Sequence, residues 1–424
     1  MSLNKILATT VPTNVLALSP IEQIEDMSEL CAFAELELQE LDAALCEAEG
    51  IEVKLQSFVA TLEAAESADS IQAIKAVAQY DVLVAEYPSL CAAIEIPSME
   101  GADDLDLNEV ELACEGIKET AKKVGDAIVA IFKAMKNATV AFFKQYFTII
   151  GRLEANIGKL EKLAKDIPAS ATPKKTDISF GSLPYLYIAG KQVTAKDIKS
   201  IYQGIGLVSK EVIKLLKDAE DAFDKDTNAA AGQIGIAWAK IQATLNKQGK
   251  ELTVAEGRAL VSGKFKEYSR SEMLPGNEAV ILTMIFEGGW KMPSATLVTM
   301  PAQTAAPKTI AALTPSTLSG PLSDAREILN TTKALRANAD QVISAADKLM
   351  AAFTKLNKAD DKNKSMTGRA VMRFANKLIS SYVKGYIKAA SKNSVQFSNA
   401  SMQLVKNSIS NLDGKKPAKD KDAK

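Results

Sequence analysis

Leu335-Arg-Ala-Asn-Ala339-Asp-Gln-Val342-Ile-Ser-Ala-Ala346-Asp-Lys-Leu349-Met-Ala-Ala-Phe353-Thr-Lys-Leu356 is the stretch from which the fold reads outward. Its apolar residues Leu335, Ala339, Val342, Ala346, Leu349, Phe353 and Leu356 alternate by four and three. That spacing is a heptad seam, one narrow apolar stripe on an α-helix. After a polar break, Asn357–Ser365, the residues Val371, Phe374, Leu378 and Tyr382 carry a second stripe on a basic helix. Two striped helices joined by a short break predict an antiparallel helical hairpin over residues 323–412. A seam this short reads as packing within one fold rather than between copies.

Upstream, residues 301–322 hold Pro301, Pro307, Pro315 and Pro321, with Lys308 as the one charge before the hairpin, and read as a linker or extended arm. Residues 118–300 read as a helical and α+β domain. Ile117, Val124, Ile128, Met135, Phe142, Tyr146, Ile149, Leu153, Ile157, Leu160 and Ala164 mark one long amphipathic helix, or two in line bent near Gly151, stopped by Pro168. Ile178–Phe180, Tyr185–Ile188 and Lys191–Val193 read as short strands around turns. Thr194 then caps a helix with Asp197 in its first turn, and helices run to about 247. Glu278–Gly288 and Thr296–Met300 read as further strands of a small sheet. The segments Gly190–Gly204 and Gly249–Gly263 align without gaps, and Thr253 with Glu256 forms a capping box. The alignment reads as one turn-to-helix solution used twice, ahead of a duplication. The fold class is therefore mainly α, with an α+β middle.

Charge divides the chain again. Residues 1–100 carry 18 acidic residues against 3 Lys, a net of −15, whereas residues 101–424 carry 34 acidic and 48 basic residues, a net of +14. In the acidic part Met27, Leu30, Cys31, Ala34, Leu38, Leu41 and Leu45 lie three and four apart. Ile51, Leu55, Phe58 and Leu62 continue beyond Gly50, and Ile71, Ile74 and Val77 suggest a third helix. Each helix has an apolar stripe and an acidic back that calls for a partner surface. Residues 101–117 read as an acidic flexible segment and 413–424 as a disordered basic tail.

Composition excludes several chemistries. There is no histidine, which removes the commonest general base and every His-containing metal site. Cys31, Cys46, Cys91 and Cys114 show no CxxC spacing and read as small buried residues. Gly204-Ile-Gly206, Gly190-Lys191 and Gly249-Lys250 lack the remaining residues of nucleotide loops. Asp103-Asp104-x-Asp106 lacks the glycine and distal Glu of a calcium loop. No catalytic residue, cofactor or metal is implied. The start has no readable signal peptide, and no uncharged run reads as a membrane span. Residues 118–424 carry a net of +20, enough for salt-sensitive contact with a polyanion but not for sequence readout. Bases interleave with aromatics at Tyr146, Tyr268, Tyr382 and Tyr386. This pattern fits nucleic-acid contact and ordinary solvated helix faces equally.

At the charge boundary lies Ile96-Pro97-Ser98-Met99-Glu100-Gly101. Pro97 ends helix and Gly101 frees the backbone to enter a protease active site. Ser98, Met99, Glu100 and Gly101 form the expected cleavage site, and one cut after Glu100 would leave a basic protein. Ala93-Ile94-Glu95 is a secondary site, while Ala64-Ala65-Glu66 falls within a predicted helix.

The acidic run Glu35–Gly50, the Leu62–Ala65 helix and Ser98-Met99-Glu100 together resemble the internal head (inner body) proteins of phiKZ-like giant tailed bacteriophages. The resemblance covers the first quarter of the chain. It implies an acidic propeptide over residues 1–100, removed by the phage prohead protease after a small-x-Glu triplet. It also implies contacts with prohead core or capsid proteins. The mature basic protein would lie with packaged DNA in the capsid interior, after a stay in the host cytoplasm, and would not be an enzyme. The runner-up is an uncleaved scaffold protein whose oppositely charged parts pair within one fold. A helical pore-forming protein, and an enzyme using Lys, Asp or Tyr alone, rank below it.

Overall fold

The predicted hairpin forms, and its second arm is the axis of the molecule. A computed structural model describes Ile21 and residues 28–65, 107–223, 250–261, 267–287, 290–301, 306–357 and 362–413. The expected third acidic helix, the helix toward 247 and the basic tail lie outside them. Among the described residues four long helices precede the axis: α1 (Ser28–Ala65), α2 (Leu107–Lys165), α3 (Ala195–Phe223) and, after the short α4 (Val254–Leu260), α5 (Ser319–Asn357). The axis runs as α6 (Lys362–Ser381), a π-helical turn (Tyr382–Ile387) and α7 (Lys388–Ser410) without a break.

The seam of α5 faces this axis. Leu349 and Phe353 are fully buried, as are Val371 and Phe374 across from them. Each such side chain contributes about 1.5–3 kcal/mol on leaving water. Ser398 donates to the Ala325 carbonyl, which places the start of α5 beside the end of the axis, as an antiparallel hairpin requires. Helix α2 lies antiparallel along α5, its register marked by the pairs Lys136–Asp347, Glu154–Lys333 and Glu161–Arg326. Helix α3 packs on α5 and the axis, and α1 packs on α2 and the axis.

Helix α1 passes through Gly50 as one element, since apolar packing on one side outweighs the cost of a helical glycine. Helix α2 is likewise single through Gly151. It starts at Leu107, within the stretch read as flexible, so Glu109 and Glu111 fall in its first turns, where the helix dipole favours acids.

The small elements follow the sequence reading closely. A 3-10 turn (Leu183–Leu186) leads into β2 (Tyr187–Ile188), which pairs with β3 (Lys191–Gln192). The turn between them puts Ala189 and Gly190 at φ 48° and 80°, the type I′ hairpin geometry. Thr194 and Asp197 then bond reciprocally at the start of α3. Strand β4 (Lys250–Leu252) precedes the Thr253–Glu256 capping box, whose two reciprocal bonds are both made. Yet β4 pairs with β5 (Glu267–Arg270), in a different sheet from β2 and β3. The alignment is thus a local solution used in two topologies.

The sheet is antiparallel in the order β4-β5-β6-β7, with β6 (Glu278–Glu287) and β7 (Trp290–Thr299) forming a ten-residue ladder. Strand β7 starts earlier than its sequence reading, because Pro293 reads as a strand breaker. The proline is tolerated because β7 is an edge strand. Within the Pro-rich stretch, β8 (Ile310–Ala311) pairs with β1 (Asp177–Ile178) and α5 begins at Ser319.

Candidate functional site

From Gly368 to Met402 every described side chain of the axis is buried except six, and all six are cationic: Arg369, Arg373, Lys377, Lys384, Lys388 and Lys392. Their spacing is four, four, seven, four and four. On an uninterrupted α-helix these positions would drift about 140° around the axis, at about 100° per residue. The wider π turn takes up roughly one extra residue and rotates the second half back by about 100°. With that rotation the six bases form one band about 120° wide, its second half laid back over the first. Gly385 sits in this turn against the sheet. A Cβ there would stand 2.6 Å from the Ala295 Cβ and 3.1 Å from a Val280 methyl, so only glycine lets the strands approach.

The acidic helix α1 covers the second half of the stripe. Lys384 Nζ donates to Cys46 Sγ at 3.2 Å, and Lys388 pairs with Asp42. Lys392 lies 4.0 Å from Glu35, and Gln396 donates to the same carboxylate at 2.8 Å. Residue numbers fall on α1 as they rise on the axis, so the helices run antiparallel. Beneath the charges Cys31, Phe33, Ala34, Leu38, Leu41 and Leu45 are buried in the common core. Glu37 is nearly buried on the α2 side, facing the Gln145 amide; burial, then Glu40, raises its carboxyl pKa.

Lys392 also bonds Glu278 at the head of β6, at 2.6 Å, and the neighbouring Asn393 bonds the other oxygen of that carboxylate at 3.0 Å. Burial alone would lower the Lys392 pKa. The hydrogen bond and charge of Glu278, with Tyr185 and Glu35, outweigh it and hold the ammonium above its ordinary range. The buried Glu278 thus keeps its hold on Lys392 from the sheet side, whereas Asp42 reaches Lys388 from α1.

The four tyrosines that interleave with bases in sequence are core residues. Tyr146 donates toward the Ser391 carbonyl and lies 2.6 Å from Ser394 Oγ; Tyr382 shares a 2.5 Å bond with Ser209. Tyr386 and Tyr268 are buried as well. Burial raises the Tyr382 hydroxyl to about 12, despite the Ser209 bond, and raises Tyr146 and Tyr386 further. The rings of Tyr146, Tyr382 and Tyr386 pack in the common core, that of Tyr268 lies against Gly257 of α4, and none offers a stacking face to a nucleic acid. Of the cysteines, Cys31 is buried as expected, whereas Cys46 is exposed at the rim of the charged interface.

Ser98, Met99, Glu100 and Gly101 lie outside the described residues. Their position in the chain is still informative. Glu100 falls between Ala65, the end of α1, and Leu107, the start of α2. One cut there would sever the chain connection to α1 and leave every later described element on a single product. The basic stripe itself was not singled out in the sequence, although its four-residue spacing was there to find.

The site holds charges against one another rather than a reactive group against a base. Among the described residues no cluster of three His, Cys, Asp or Glu is placed to hold a metal ion, and no helix is long and apolar enough to cross a membrane. Fold and site define a mainly helical protein built around one buried axis, with a cationic stripe under an acidic helix. Residues 34–410 match the phiKZ-like phage internal head proteins, and the chain belongs to that family. The match begins within α1 and so takes in most of that helix. Comparison with curated proteins and with solved structures finds no match. The family is one of structural proteins of the bacteriophage capsid interior.

Proposed function

We propose that this internal head protein is made as a charge-masked precursor. A phage prohead protease cuts it after Glu100 during capsid maturation. The basic product, residues 101–424, then lies with packaged DNA through non-specific electrostatic contact. Before assembly the full chain resides in the host cytoplasm and meets prohead core or capsid proteins. The observation that carries this reading is the placement of Glu100 in the connection between the acidic cover and the rest of the molecule. A cut there changes the net charge of the product from −1 to +14 in one irreversible step.

The burial of Leu38, Leu41 and Leu45 in the common core supports a second reading, an uncleaved scaffold in which α1 is permanent. Intact mass and N-terminal sequence of the protein from purified particles separate the two. A start at Gly101 is expected. A start at Met1 overturns processing and leaves the scaffold.

A further inference from the structure

We infer that the cationic stripe of the axis is a DNA-backbone grip, and that α1 occupies its second half as an acidic stand-in for phosphate until the chain is cut. This rests on the reading that α1 is detached, and it names the surface that detachment exposes.

Three observations carry it. The stripe is the one outward-facing line of a helix otherwise buried from Gly368 to Met402, and all its described members are Arg or Lys. Surface helices usually mix charge signs, so a row of one sign needs counter-charge. The band runs over about 35 Å at 1.5 Å per residue, close to one turn of duplex DNA, about 34–36 Å. Third, Asp42 and Glu35 on α1 pair with Lys388 and Lys392, whose side chains are only 22 % and 23 % exposed under that helix. When α1 leaves, these cations lose their carboxylate partners and become open to a phosphate chain, which replaces that counter-charge. Lys392 retains Glu278, so the loss of α1 is felt most at Lys388, which pairs with Asp42, and at its neighbour Lys384.

The test uses the full chain with a protease recognition sequence in place of residues 96–100, before and after cutting in vitro. Binding to a 30-base-pair duplex is read by fluorescence anisotropy across salt, with thermal melting as the check that the cut product is folded. Cutting is expected to tighten binding and steepen the log-log salt slope. In the cut protein, Lys384→Gln with Lys388→Gln should flatten that slope by about 2, since each phosphate contact contributes about 0.9. The control pair Lys191→Gln with Lys196→Gln, exposed on another part of the surface, should leave it unchanged. Equal losses from the two pairs would mean diffuse charge and overturn the grip. So would a folded cut protein that binds no more tightly than the intact chain. Because the cut is made in vitro, these outcomes are independent of where the protein starts in particles.

Discussion

The axis helix has two kinds of neighbour. Against α5 it presents Val371, Phe374 and Leu378 to an apolar seam. Against α1 it presents Lys384, Lys388 and Lys392 to Cys46, Asp42 and Glu35 above a shared apolar floor. The first interface depends on area removed from water, which salt and proteolysis elsewhere leave alone. The second adds charges that salt screens and a chain connection that a single cut breaks. One helix thus carries a permanent face and a conditional one.

The largest effect belongs to the permanent face. Phe353→Ala should cost about 3–5 kcal/mol, read as a drop in the denaturation midpoint of the whole molecule. A change confined to one end of the protein would erase the distinction between the faces. Leu38→Ala removes a buried side chain from the conditional face and should cost about 2–5 kcal/mol. Its signature is local: proteolysis within α1 accelerates while seam amides keep their exchange protection. Gly385→Ala tests the turn that aligns the stripe. Crowding against Ala295 should cost about 1–3 kcal/mol, with a structural shift visible in β6 and β7. Asp42→Asn is the mildest. The pair with Lys388 is partly exposed, so about 1 kcal/mol or less is expected, and the difference from the parent should vanish at 1 M salt.

Sequence reading recovers the two faces unequally, for physical reasons. The seam is legible because Leu335 to Leu356 repeat with a helical period and nothing else in that stretch competes. The stripe of α1 is legible for the same reason, from Cys31 to Leu45. The partner of α1 is not, because Asp42 and Lys388 lie 346 residues apart and each alone reads as part of a solvated charged face. The burial of α7 is hidden too. Ser391, Asn393, Ser394, Ser398 and Asn399 look like surface residues, yet all are buried. Ser394 shows why this is possible: its hydroxyl bonds the Ser391 carbonyl on its own helix and also meets Tyr146, so its polarity is satisfied within the packing. The tyrosines mislead in the opposite sense. Basic neighbours along the chain alternate with them around the helix, so adjacency in sequence places Tyr382 and Lys384 on different sides.

The pairing of α1 with the axis also sets an order of events on the ribosome. The acidic helix emerges well before its lysine partners, with Asp42 and Lys388 separated by 346 residues. At 5–20 residues per second that is a wait of roughly 20–70 s. Through that interval the helix has α2 to lean on but not the axis that completes its site. Nascent chains halted before Lys388 are therefore expected to leave α1 open to added protease, and chains carried past Gln396 and clear of the exit tunnel to close it. The axis, made after α1, buries it, so the basic surface leaves the ribosome with its acidic cover already waiting.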